Sequence, residues 1–185
     1  SGVAQAGFML APLAVVSDNP NGALHAVVTY LLIYAAMNLG AFTIVMAVAR
    51  KTRSGEISSY GGLFSYAPGL AVLMTIFLFS LAGIPPLAGA WAKIFIFRAV
   101  LDAGTPWAIV LGVIAAVNSV IALFYYSAVA KEMWMSPVPD GIEAAPIRVP
   151  PSLIAALGIT SSIVVVVGVY PQLLARFGEL ASLVP

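Results

Sequence analysis

An all-helical integral membrane bundle is the fold class this sequence predicts, and three observations predict it. The 185 residues are 62% hydrophobic and only 8% charged, against about 45–50% apolar and about 25% charged in soluble domains. The mean hydropathy is +1.05. Finally, most of the apolar runs approach or exceed the roughly 20 residues that cross about 30 Å of hydrocarbon. They lack the period-2 alternation of a membrane barrel.

The elements follow in order within one membrane domain covering 1–185. Residues 1–16 read as a truncated first span, stopped by the turn-forming SDNPNG at 17–22. No charged segment or small-residue cleavage site precedes this run, so it does not read as a signal peptide. The chain reads as a fragment whose first helix is already under way. Residues 23–50 form a second span, closed by Arg50, Lys51 and Arg53. The Gly- and Ser-rich stretch 54–67 is expected to be an interfacial loop or short surface helix. Residues 68–103 are almost wholly apolar but broken at Gly83-Ile84-Pro85-Pro86. Residues 106–130 and 153–170 complete the spans, separated by a Pro-rich loop at 136–151.

The stretch 68–103 admits two readings. One straight helix would measure about 54 Å, too long for a single untilted crossing, which leaves two helices or one broken span. The linker Ile84-Pro85-Pro86-Leu87-Ala88-Gly89 has no polar side chain, which is unusual for a loop in water. Irregular backbone inside a membrane persists only where protein or a water-filled cavity satisfies it, and it commonly marks an ion path. Gly83, Pro85, Pro86 and Gly89 are therefore the expected helix break. Counting bases does not decide between the readings. With one broken span, Arg50, Lys51, Arg53, Lys131 and Arg148 oppose Arg98 and Arg176; with two helices, Arg98 and Arg176 join Arg50, Lys51 and Arg53 against Lys131 and Arg148. In both, the positive-inside rule puts 50–56 in the cytoplasm and 17–22 outside. With one broken span, 131–152 is cytoplasmic and the C-terminus lies outside.

Composition excludes several functions. A net charge of +1 offers no field for nucleic acid. The absence of Cys removes thiolate metal sites, iron–sulfur ligation and cysteine nucleophiles. One His and seven scattered carboxylates do not build a conventional metal centre. Gly61-Gly62 lacks the continuation of a nucleotide loop, and His25 has no carboxylate in its span with which to form a hydrolytic triad.

All the charged residues fall in loops or at helix ends, except one. Lys93 stands within GAWAKIFIF, just after the break and apolar on both sides. An ionisable group at such depth costs at least ~2.5 kcal/mol. Apolar surroundings disfavour the ammonium, so a neighbouring acid or a change in hydration can switch its charge. That is what a proton relay needs. The competing reading is a Lys snorkelling to the interface, and the adjacent break, able to admit water, favours the relay. His25 lies three residues beyond the 17–22 loop, where interfacial packing competes with proton carrying. Asn38, Asn118 and Ser119 are candidates to line a polar path, their ordinary role being inter-helix hydrogen bonding. Tyr125, Tyr126 and Trp134 lie where an aromatic belt is expected.

At SLAGIPPLAGAWAKIFIFRAV (80–100) the sequence resembles the antiporter-like membrane subunits of respiratory complex I, most closely the subunit N family of NADH-quinone oxidoreductases. VAQAGFML (3–10), YLLIYAAMNLGAF (30–42), NSVIALFYY (118–126) and GVYPQ (168–172) extend the resemblance in order along the chain, over the C-terminal part of the family's helix array. The resemblance implies a bacterial plasma-membrane protein that moves protons while electrons pass from NADH to quinone elsewhere in the complex. It implies a non-redox subunit whose partners are neighbouring antiporter-like and small hydrophobic subunits and the bilayer. NADH, flavin, iron–sulfur clusters and quinone are then expected in other subunits, with no cofactor here. In this family the GIPP-type motif lies in one discontinuous helix whose ionisable residue belongs to the proton pathway; carried over, that residue is Lys93. The sister subunit M usually has Glu there. Mrp-type sodium/proton antiporter subunits can carry Lys in a similar motif and are the alternative, although IFIFRAV and the double Tyr before AKEMW look like subunit N. Gln5 departs from members that have His at its position. It can hydrogen-bond but cannot change its charge.

Overall fold

A computed structural model of the chain describes residues 1–142 and 144–173. Glu143, Arg176, Glu179 and the C-terminus lie outside the described residues. These contain α1 (Gly2–Leu10), a 3-10 turn (Pro12–Val15), α2 (Pro20–Thr52), a second 3-10 turn (Ile57–Tyr60), α3 (Leu63–Tyr66), α4 (Pro68–Ala82), α5 (Ala88–Leu101), α6 (Pro106–Met135) and α7 (Pro151–Val169), and no strand. Three helices, α2, α6 and α7, are long and apolar enough to cross a membrane.

Proline and capping residues set the boundaries. A Pro occupies the first turn of α2, α4, α6 and α7, where its missing N–H is no loss and its fixed φ suits the helix. The side chain of Asn19 accepts from the Gly22 N–H at 3.1 Å and Thr105 Oγ1 accepts from Ala108 N–H at 3.3 Å, each satisfying an orphan donor of a helix start. α2 thus begins inside the sequence expected to be the 17–22 turn, because Asn19-Pro20 is a cap as well as a turn signal. The first apolar run is not one helix to residue 16. Pro12 cannot donate, and the chain tightens into a 3-10 turn there. α6 runs on to Met135, five residues past the expected end.

The direction of α4 and α5 decides the architecture. Gly89 N–H donates to Ser80 Oγ at 3.0 Å, and Lys93 Nζ donates to the Ala82 carbonyl at 2.8 Å. A Cβ on Gly83 would lie 2.8 Å from Lys93 Cδ. In each case the partner lies nine to eleven positions further on. Both segments therefore advance the same way; in a hairpin one partner number would fall as the other rose. Along α2 the partner numbers rise as the α2 numbers fall: Lys51 with Tyr66, Gly40 with Phe77, Met37 with Ser80, His25 with Phe95, Asn19 with Ala99. α4 and α5 are two halves of one discontinuous helix, lying antiparallel to the unbroken α2.

α6 and α7 complete the bundle. α6 buries Gly112, Ala122, Tyr126 and Met133 but exposes Trp107, Val113, Val117, Val120 and Phe124, a surface suited to hydrocarbon and not to water. Lys51 Nζ donates to the Ala145 carbonyl and Gly62 N–H to the Glu132 carbonyl at 3.3 Å. The segments 50–67 and 131–150 thus share one end of the bundle. The 17–19 turn and the end of α5 meet at the other, where Asn19 Nδ2 donates to the Ala99 carbonyl at 3.2 Å.

Candidate functional site

Breaking a helix in hydrocarbon leaves backbone groups that must find partners, and the sequence supplies most of them. The last four carbonyls of α4 belong to Phe79, Ser80, Leu81 and Ala82. Gly83 and Ile84 N–H close onto Phe79 and Ser80; this needs a positive φ (93°) at residue 83, which glycine adopts without strain. Gln5 Nε2 donates to the Leu81 carbonyl at 3.3 Å and Lys93 Nζ to that of Ala82. In the linker, Pro85 and Pro86 have no N–H to satisfy, their shared peptide bond is cis, and Leu87 N–H reaches the Ile84 carbonyl at 3.2 Å. Ser80 Oγ accepts Gly89 N–H and donates to the Met37 sulfur at 2.9 Å. On the far side α7 closes over the linker. A Cβ on Gly168 would sit 2.1 Å from the Pro86 oxygen, and Trp91 Nε1 donates to the Gly168 carbonyl at 2.8 Å.

Lys93 is the charged member of this arrangement. It is 5% exposed. Beyond Ala82, its Nζ donates to Ser119 Oγ on α6 at 3.0 Å and stands 4.6 Å from the centroid of the Phe8 ring. Among the described residues the one ion pair is Arg98–Asp102, at 3.8 Å on an exposed face. The Lys93 ammonium is therefore held by a carbonyl, a hydroxyl and a ring face, not by a carboxylate. The carbonyl end of a helix and an aromatic face both attract a cation, which offsets part of its desolvation.

The neighbouring carbonyl leads to a second polar cluster. Gln5 is fully buried, accepts from the Tyr30 hydroxyl and donates Nε2 to Tyr126 OH at 3.0 Å. Ser1 Oγ shares a hydrogen bond with Tyr126. Tyr126 is 3% exposed and sits in the core; it is not part of an interfacial belt, because its hydroxyl serves Gln5. Trp134 is at the surface, stacked on Phe64 and bonded to Thr75 Oγ1.

Of the sequence candidates, Lys93, Gln5, Ser119, Gly83 and Gly89 converge at the break, while exposed Pro85 and Pro86 form its linker. The other three stand apart. Asn118 faces outward and donates to its own Ile114 carbonyl at 3.0 Å. Asn38 is half-buried and makes no side-chain hydrogen bond among the described residues. The His25 ring packs 5.2 Å from that of Phe95, and His25 lines a cavity of about 270 Å3 with Asn19, Arg98 and Asp102, its Nε2 buried without a partner. Sequence reasoning missed Ser80, Tyr30, Tyr126 and Phe8. For Ser80 a signal was present: a lone hydroxyl three residues before the breaking glycine, placed to cap the returning chain.

Residues 1–119 match the family described as NADH:quinone oxidoreductase/Mrp antiporter, TM. The chain is 37% identical over 179 residues to NADH-quinone oxidoreductase subunit N 1 of Koribacter versatilis, covering 95% of this chain and 34% of that protein. It is 38% identical over 183 residues to NADH-quinone oxidoreductase subunit N of an Anaeromyxobacter species, covering 97% of this chain and 35% of that one. The chain thus spans about a third of the length of these relatives. A chain in the structure of respiratory complex I from Thermus thermophilus with bound aureothin superposes with a TM-score of 0.62 at 23% identity, over 92% of this chain and 44% of that one. That likeness shows the fold, a multi-pass helical membrane protein.

Proposed function

This chain belongs to the NADH:quinone oxidoreductase/Mrp antiporter transmembrane family, and we propose that it forms the proton-translocating, C-terminal part of a subunit N of NADH:quinone oxidoreductase, with Lys93 as its relay. The relatives named subunit N support the complex I reading over an Mrp-type antiporter. The observation that carries the relay is the contact set of Lys93. Ala82 O only accepts, whereas Ser119 Oγ both donates and accepts. The ammonium donates one N–H hydrogen bond to each. A neutral amine keeps its N–H bond to Ala82 while its lone pair accepts a hydrogen bond from the Ser119 hydroxyl. The site therefore holds the side chain in either protonation state, with only the Ser119 hydroxyl rotating. Protons would reach it through water admitted at the break, while Gln5, Tyr30 and Tyr126 hold the adjacent carbonyl and orient the end of α4. We place 50–67 and 131–152 in the cytoplasm and 17–22 outside.

In this reading the chain carries no redox group, in keeping with its lack of Cys and its single His. Nicotinamide, flavin, clusters and quinone belong to other subunits of the complex, and neighbouring membrane subunits are the partners.

The test separates capping from relay. Lys93→Gln keeps an N–H donor for Ala82 but cannot change charge, and Lys93→Arg stays protonated throughout. Proton pumping is measured with NADH:quinone turnover in membranes matched for assembled complex. Both variants are expected to assemble and to lose translocation through this subunit by about a hundredfold, the scale of positioned proton transfer. Normal coupled pumping in Lys93→Gln sinks the relay. Co-purification with NADH-oxidising subunits, and not with small antiporter subunits alone, separates complex I from the Mrp alternative.

A further inference from the structure

Three bases at the 50–67 end of the bundle are not explained by the relay. Arg50 and Lys51 lie in the last turn of α2, where cations favourably meet the helix's negative end. Arg148 comes from the loop before α7 and has no such reason to be there. The fold brings all three to one cavity of about 250 Å3, walled also by Ala47, Pro146 and Ile147. Lys51 is fixed in it by its bond to the Ala145 carbonyl and by the Tyr66 ring, 4.7 Å away. Arg50 and Arg148 are exposed, and among the described residues no carboxylate lines this cavity.

Pro146 and Ile147 also wall a second, larger space, together with Tyr66. This groove, of about 630 Å3, runs between α4 and α7 past Leu70, Leu73, Ile154 and Leu157. Its walls are almost wholly apolar, and it starts where the basic cavity stops. A compact cluster of fixed positive charge beside an open apolar groove, at the end of a transmembrane bundle, matches an amphiphile with an anionic head. Basic pockets between transmembrane helices take anionic lipid headgroups for this reason.

We propose that the two cavities form one binding site for an anionic phospholipid, with its phosphate against Arg50, Lys51 and Arg148 and an acyl chain in the groove between α4 and α7. The site is independent of Lys93 and of proton transfer. It ties the 146–149 segment to the end of α2, and so fixes the start of α7, whose far end closes over the helix break.

The experiment uses the full-length protein in its complex, reconstituted in nanodiscs of phosphatidylcholine containing either brominated phosphatidylglycerol or brominated phosphatidylcholine. Ser161 lines the groove and is replaced by Cys carrying a fluorophore, with complex lacking that Cys as the labelling control. Quenching is expected to be stronger with the phosphatidylglycerol. That preference should fall about fivefold in each of Arg50→Gln and Arg148→Gln, the effect of about one interfacial charge. Both side chains are exposed, so the fold tolerates the changes. Equal quenching by the two lipids overturns the headgroup site. Loss of the preference on adding inorganic phosphate alone points to a free-anion pocket and overturns it as well. Absence of quenching, with a crosslink from the same Cys to another subunit, makes the groove a protein interface and also ends the proposal.

Discussion

Lys93 and Lys51 make nearly the same contacts in two different regions. Each Nζ donates to a backbone carbonyl, Ala82 for one and Ala145 for the other, and each stands over an aromatic ring at 4.6 and 4.7 Å. The difference lies in what surrounds them. Lys51 ends a continuous helix among Arg50, Arg53 and a loop, and it is half-buried. Lys93 is buried where a helix is interrupted, and its carbonyl exists as a free acceptor only because of that interruption. The comparison teaches that contact chemistry alone does not mark a relay. Depth, and a partner such as Ser119 that can reverse its hydrogen bond, separate the two lysines.

The widest expected separation comes from making the same substitution in both. If the proposed relay is right, Lys93→Gln is expected to lower proton translocation through this subunit by about a hundredfold, while Lys51→Gln is expected to leave pumping near normal. Pumping rates in matched membranes measure both. Equal loss in the two variants would mean that either Lys supports structure alone, and the comparison would fail.

Next comes the break that creates the Lys93 environment. A Cβ on Gly89 would lie 1.8 Å from the Ser80 oxygen and 3.0 Å from the Met37 sulfur. Gly89→Ala therefore pushes the halves of the discontinuous helix apart, at a cost of about 3 kcal/mol. Gly55, in the loop just beyond the end of α2, has open space around its Cβ direction, and Gly55→Ala is expected to be silent. Thermal unfolding of the detergent-solubilised complex compares the two. A Gly89→Ala protein as stable as Gly55→Ala would show that α4 and α5 do not overlap at Ser80.

Much of this contrast was legible in the sequence, for physical reasons that can be named. Lys93 stood out because a lone ionisable residue in a long apolar run is costly, and GIPP because proline removes donors that hydrocarbon cannot satisfy. Membership in a helical membrane class followed from composition together with the length of the apolar runs and their lack of period-2 alternation. The direction of α5 did not follow from the residues alone, since an apolar linker is compatible with a turn or an overlap and base counting was tied; the single discontinuous helix came from the family resemblance. Gln5 was visible only as a polar residue without charge. Its function as the partner of the Leu81 carbonyl depends on α1 packing against a helix end 76 residues away, which no local pattern encodes. Tyr126 misled for a related reason: belt position and core position differ by a rotation of α6 that its weakly amphipathic sequence does not set.

Gln5 gives the third prediction. Gln5→Leu leaves the Leu81 carbonyl and the Tyr30 hydroxyl buried without this partner, and unsatisfied groups of that kind cost about 2 kcal/mol. Gln5→His, which restores a hydrogen-bonding side chain, should recover most of the loss. Thermal unfolding again provides the measurement, and a Leu variant as stable as the parent would remove Gln5 from the support of the break.

The smallest effect is expected one turn beyond His25 on α2. Thr29 is 1% exposed, and its Oγ1 has no hydrogen-bond partner. Thr43, Thr52, Thr75 and Thr160 differ, each returning its hydroxyl to the carbonyl four residues earlier. A buried hydroxyl that makes no bond carries its desolvation penalty without return, so Thr29→Val, which keeps the shape, should change stability by no more than about 0.5 kcal/mol, on the stabilising side. The same change at Thr160 deletes a bond but leaves a carbonyl still held by its own helix, and should also be mild, on the destabilising side. Opposite signs in the two variants would show that the packing around Thr29 is dry. A Thr29→Val loss larger than that at Thr160 would mean that the hydroxyl has a partner, such as a bridging water in the packing one turn beyond His25.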